Sequence, residues 1–168
     1  MPKIKVLSKY LMPAEWERQE STWIAWPHNK SDWPNKFQNI PKVFLDIIFH
    51  LSSDQKVNIL LKSQAQKRII KKHLKTKKLK MKNIQFFVIR NNRAWIRDYG
   101  PIYVKNKIGK KIILNWKFNG WAKYKDFQRD NEVNYHISKK IKKKIVEPKY
   151  KKKQVVLEGG AIDVNGKG

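Results

Sequence analysis

Cysteine is missing from all 168 residues. Its absence excludes disulfides, a thiolate metal site and a thiol nucleophile supplied by this chain. Acidic residues are scarce: 13 Asp plus Glu stand against 39 Lys plus Arg, a formal net charge of +26. Arginine is scarce as well, confined to positions 18, 68, 90, 93, 97 and 129. The basic excess is therefore lysine, which lacks the planar fork that reads bases and phosphates. Heavy use of Lys, Ile and Asn carries the imprint of an AT-rich genome, so compositional drift competes with selected polyanion binding as the source of the charge. Long apolar runs and a signal-peptide h-region are also lacking, and the expectation is a soluble, cytoplasmic chain without membrane contact.

Enough apolar material is present for one ordered domain, with hydrophobic residues at 40% and aromatics at 12%. A strand is expected at Trp23-Ile24-Ala25-Trp26, covered on both faces and ended by Pro27. Val43, Phe44, Ile47, Ile48 and Leu51 recur at helical spacing and predict a helix over 41–52. The strand Val57-Asn58-Ile59-Leu60-Leu61 follows. A basic amphipathic helix runs from Ser63 or Gln64 to about Leu74, with Ile69, Ile70 and His73 toward its apolar side. Lysine-rich links at 75–82 and 149–153 bracket the rest, and the opening segment Ile4-Lys5-Val6-Leu7 is partly strand-like. Ile102-Tyr103-Val104 and the run 111–116 flank a turn in a β-hairpin pattern. Asp130-Asn131 is placed to cap a helix over 131–145, and 154–157 reads as a strand. The order of elements is α/β, and residues 23–61 and 102–157 share a strand, helix, strand order suggestive of a repeated unit.

The chain is organised around Trp95-Ile96-Arg97-Asp98-Tyr99-Gly100-Pro101, placed after the strand 84–90. An aromatic plate and a carboxylate three residues apart suit a flat cation, with N–H donors taken in plane and the ring covering the face. A core Trp beside an Asp paired to Arg97 is the plainer reading of the same spacing. A second carboxylate, Glu158, precedes Gly159-Gly160 at a strand end, where paired glycines admit close backbone approach. Asn165-Gly166 reads as a hairpin turn whose partner strand does not follow.

Five stretches carry a resemblance: Met12-Pro13-Ala14-Glu15-Trp16-Glu17, the run Thr22 to Asn29, the run Trp95 to Ile102, Phe118-Asn119-Gly120-Trp121, and the run Leu157 to Ile162. In order and content they resemble the agmatine deiminase family, also called the Porphyromonas-type peptidylarginine deiminases, of the guanidino-group-modifying superfamily. The resemblance implies a pseudo-fivefold α/β propeller of ββαβ modules, with residues 1–168 as the N-terminal part of a single domain truncated after about half the modules. It implies hydrolysis of a guanidino C–N bond, agmatine giving N-carbamoylputrescine and ammonia on the way to putrescine, or action on arginine side chains. Asp98 and Glu158 take the catalytic carboxylate positions, and Trp95, Asp98, Glu158, Gly159 and Trp121 the substrate-binding positions. Trp23, Trp26 and Trp121 are pocket walls or core residues. Arg97 and His28 are structural partners.

No metal and no cofactor enter this chemistry. The family's nucleophile is a Cys thiolate and its acid a His in a Gly-His-x-Asp segment, both expected beyond Gly168. The expected protein is thus an inactive fragment that grips a small guanidino substrate, agmatine or arginine-like, and that is completed by a missing C-terminal half. Two alternatives stand beside it: a basic nucleic-acid-binding protein on a deiminase-like scaffold, and one half of a split deiminase.

Overall fold

The computed structural model describes residues 7–76, 79 and 81–167. Most of the strand-like opening at 4–7 and part of the lysine-rich link at 75–82 lie outside the described residues. By contact density the chain divides into two compact units. One comprises 1–18, 97–125 and 131–168, and the other 19–96 and 126–130.

The second unit is a parallel three-stranded sheet in the order β2 (Ser21–Ala25), β3 (Lys56–Leu61), β4 (Ile84–Val88). Helix α1 (Ile40–Asp54) links the first pair and α2 (Gln64–Thr76) the second. The register sets Trp23 beside Asn58 and Ile59 beside Phe86. Parallel strands are normally covered on both faces, and β3 fits that rule, buried from Val57 to Leu61. Val57, Ile59 and Leu61 share one core with Ile48 of α1 and Ile70 and Leu74 of α2. Each helix turns the expected stripe by about one position. Val43, Ile47 and Ile69 are exposed, while Phe44, Leu45 and Leu51 pack on the core. His73 also faces outward, its Nδ1 2.9 Å from the carbonyl of Ile69.

The first unit holds a mixed sheet in the order β1 (Tyr10–Leu11), β5 (Ile102–Asn106), β6 (Lys111–Leu114), β7 (Ile145–Val146). The hairpin β5–β6 is as expected, and β7 lies parallel to β6 after helix α3 (Gln128–Ile141). Residues 102–146 thereby form a ββαβ module, and the fold is α/β. Helix α3 starts and stops earlier than the lysine-rich pattern suggests. Asp130 lies inside it and does not cap it: its carboxylate instead accepts the backbone N–H groups of Asn92 and Arg93. The second lysine-rich link is a small hairpin, β8 (Lys149–Tyr150) with β9 (Lys153–Gln154), turned at Lys151 and Lys152 with φ of 44° and 65°. Only Gln154 of the expected 154–157 strand falls in a strand. Beyond it Val156 makes a single parallel bridge to Lys117. Gly166 makes a bend at φ 78°, and among the described residues no strand flanks it.

Candidate functional site

Asp98 sits in a single helical turn, Ile96–Tyr99, held at its C-terminal side by a buried amide. Asn134 of α3 donates to the carbonyl of Tyr99 and to Oδ1 of Asn115, both at 2.9 Å. Its NH2 makes both bonds while its own Oδ1 is buried without one, and the bond to Tyr99 fixes the backbone one residue from Asp98. Gly100-Pro101 then turns the chain into β5.

The tail closes on this turn. The N–H of Gly160 donates to Oδ1 of Asp98 at 3.2 Å. Nε of Arg97 donates to the carbonyl of Gly159 at 3.1 Å, and its terminal Nη2 pairs with Glu15. Arg97 therefore ties segments near 15, 97 and 159 together, and its own ion pair is with Glu15. The paired glycines follow from packing. A Cβ on Gly159 would overlap the Arg97 carbonyl oxygen, and one on Gly160 would overlap Oδ1 of Asp98.

Trp121 reaches the same carboxylate by an unusual backbone. Gly120, Trp121 and Ala122 are all left-handed, at φ 65°, 57° and 55°. Asn119 caps the turn by accepting the N–H of Ala122 at 3.1 Å. The Trp121 ring stands edge-on to Phe118, with centroids 4.8 Å apart at 89°. Its side chain is among the groups that lower the Asp98 pKa. Left-handed conformations cost a bulky residue about 1–3 kcal/mol, a strain found where a side chain must be aimed.

Electrostatically the two carboxylates share one environment. Burial pushes the Asp98 pKa up, against the Gly160 N–H, the charge of Arg97 and the Trp121 donor, which pull it down. Burial also raises Glu158, and the negative charge of Asp98 raises it further. Two half-buried anions near one another, with donors already spent on one of them, disfavour their own charge and favour a cation between them. Thus Asp98, Glu158, Gly159 and Trp121 all belong to one unit, with the Glu158 carboxylate close enough to feel the charge of Asp98. Trp95 belongs to the other unit, where its 42% exposed ring lies 5.5 Å from that of Trp33. Trp23 and Trp26 are packing residues, on Phe87 and Phe44 respectively. Both ring nitrogens of His28 lie 3.1 Å from backbone carbonyl oxygens, of Trp26 and Asn91, which marks it as structural.

A charged cluster in the second unit was not visible as a motif. Arg93, 3% exposed, pairs with the fully buried carboxylate of Asp32 and with Asp126. Burial opposes the Arg93 charge, but the two carboxylates outweigh it and raise its pKa. Asp130, fully buried beside it, is pushed up to about 7 by burial despite the two N–H groups it accepts. The cluster's members Asp32, Arg93, Asp126 and Asp130 come from separate stretches, so no local pattern marks it. Among the described residues no three His, Asp or Glu side chains converge as a metal ion would require.

The chain is similar to C. jejuni agmatine deiminase, at 30% identity and TM-score 0.74 over 95% of this chain and 44% of that one. A variant of the C. jejuni enzyme with substrate bound matches at 31% identity and TM-score 0.76, over the same shares. Agmatine deiminase of Enterococcus faecalis gives TM-score 0.81 at 27% identity, over 96% of this chain and 42% of that one. Curated relatives from Selenomonas ruminantium and Streptococcus mutans are 29% identical, and the chain spans 42% of their length. The family model for Porphyromonas-type peptidyl-arginine deiminase matches residues 11–168, and the chain belongs to that family.

Proposed function

We propose that this chain carries the guanidinium-binding portion of a deiminase site, acting on agmatine or an arginine-like substrate. The observation that supports it most is the bond from Gly160 to Asp98, which sets the Glu158-Gly159-Gly160 segment beside that carboxylate, so that the Asp98 charge raises the Glu158 pKa. A guanidinium presents its N–H donors in plane, which two carboxylates accept, and its face to an aromatic ring, which Trp121 supplies. The names of the C. jejuni and Enterococcus faecalis relatives support agmatine as the first substrate to try. Binding alone does not break the C–N bond: that step needs a nucleophile and an acid, and with no cysteine in the chain the thiolate would have to come from another segment or chain. On this reading the 168 residues bind without turnover in a cytoplasmic polyamine route.

Calorimetric titration of the full chain tests this, with agmatine against putrescine, which lacks the guanidino group. Agmatine should bind and putrescine should bind far more weakly. Asp98→Asn and Glu158→Gln should each weaken agmatine by about tenfold or more, the worth of a charge-assisted pair. Equal binding of the two ligands, or an Asp98→Asn variant that binds as well as the parent, would sink the proposal. Ammonia released above background would overturn the binding-only part of it.

A further inference from the structure

A cavity of about 490 Å³ opens in the first unit, away from the carboxylates, and is lined by Gly109, Lys110, Lys111, Lys142, Lys143 and Lys144. Its size falls within the range of small-ligand sites, but its lining is almost wholly cationic. Sequence alone shows two lysine runs more than thirty residues apart, and the fold makes them opposite walls of one concavity.

Both walls are held by backbone bonds. On the hairpin side, Gly109 N–H donates to the Asn106 carbonyl at 2.9 Å, and Lys110 N–H to Oδ1 of Asn106 at 2.8 Å. On the other side Ser138 Oγ donates to the carbonyl of Lys143 at 2.6 Å, and Lys143 N–H donates to the Ser138 carbonyl at 3.1 Å. The Ile113 N–H then joins the walls by donating to the Lys144 carbonyl at 2.9 Å. Lys142 turns the chain here at φ 52°, a left-handed position that glycine would fill more easily. The backbone that carries these lysines is thus held, while the side chains of Lys110, Lys142, Lys143 and Lys144 are exposed.

The end of α3 explains part of this charge, since the exposed carbonyls of a helix C-terminus favour a cation. That effect falls off within the last turn and does not account for lysines contributed from the β5–β6 turn. No carboxylate lines the cavity, and among the described residues the side chains of Lys110, Lys142, Lys143 and Lys144 make no ion pair. The four ammonium groups of Lys110, Lys142, Lys143 and Lys144 repel one another unless an anion of high charge density lies between them.

We propose that this cavity is a binding site for closely spaced phosphates, offered either by a free oligophosphate or by a nucleic-acid backbone. Lysine suits it: several point charges that adapt to clustered phosphoryl oxygens are needed, and base reading is not. The site is independent of the guanidinium reading.

The full chain is titrated with inorganic tripolyphosphate by calorimetry, and with a labelled single-stranded oligonucleotide of about ten residues by fluorescence polarisation. The triple variant Lys110→Gln, Lys142→Gln, Lys143→Gln is compared with Lys71→Gln, Lys72→Gln, Lys75→Gln, which removes equal charge from exposed positions on α2. The cavity variant should weaken the anion about tenfold or more and lower the salt slope by about one for each lysine removed, whereas the α2 variant should leave the affinity within about threefold. Loss confined to tripolyphosphate assigns a free anion, and loss confined to the oligonucleotide assigns a strand backbone. Equal weakening by the two variants would mean diffuse attraction, and absence of binding by both probes would leave the cavity without a ligand; either overturns the proposal.

Discussion

Oδ1 of Asp98 accepts the N–H of Gly160 across 62 residues of sequence, at 3.2 Å. The carboxylate is thereby oriented by a backbone that no side chain interrupts. Because the neighbouring Gly159 lies against the Arg97 carbonyl, the two glycines have different neighbours, and the difference is measurable.

Gly159→Ala puts a methyl into backbone, which cannot swing aside. It should destabilise by about 1–3 kcal/mol in urea unfolding, as overpacking does, and abolish agmatine binding as the loop lifts. Gly160→Ala meets only the end of the Asp98 side chain, which can rotate. That variant should keep its unfolding midpoint nearly unchanged while agmatine affinity falls. Matching stability losses in the two would show that the tail does not rest on the Arg97-Asp98 backbone in solution.

Asp130 sets a pH window for stability. Its pKa in the folded chain is about 7, against 3.8 for the ordinary group. Between those values the folded state holds a proton that the unfolded state has lost, so this residue's contribution to stability is largest at low pH and declines as pH rises toward 7. The full swing is on the order of 4 kcal/mol. Asp130→Asn keeps the acceptor for Asn92 and Arg93 and removes the titration. Its urea midpoint, compared with the parent across that range, should lack the decline; parallel profiles would refute the assignment.

The two arginines of the central stretch should differ in kind. Arg93→Met leaves Asp32 buried without its partner and should cost about 3–5 kcal/mol. Arg97→Met breaks a half-exposed pair with Glu15, and losing that ion pair should cost under about 1 kcal/mol. It should nevertheless lower agmatine affinity, because the Gly159 carbonyl loses its donor. Equal costs in denaturant would contradict the burial difference.

Strain at the Trp121 turn can be relieved one residue away. Ala122 has φ 55° and contributes no ring to the site. Ala122→Gly should change stability by about 0.5–1 kcal/mol in the favourable direction, the left-handed penalty exceeding the entropy glycine loses. A lower melting temperature would indicate that the turn is not left-handed in solution.

Much of this was legible in sequence where local chemistry decides. The apolar run of β3, the hairpin around Asn106–Lys110 and the paired glycines each follow from residue type and spacing, and Asp98 with Glu158 followed from the family resemblance. Legibility failed where partners are distant. Nothing local marks Asp130 as a buried acceptor for Asn92, and Asn-Asp pairs commonly cap helices, so the start of α3 was misplaced. The strands β1 and β7 are two residues long and exist only through pairing with β5 and β6. Lysine-rich stretches gave no pattern for the hairpin β8–β9, whose turn relies on left-handed lysines where glycine or asparagine is the usual signal.

Strand β3 has a neighbour on each side, and both pairings join segments distant in sequence. Its amides at Ile59 and Leu60 should consequently exchange slowly with solvent deuterium. Assembly of that unit needs loop closure on both flanks, so a ribosome-bound chain would hold this strand with one edge uncovered until synthesis has passed Val88.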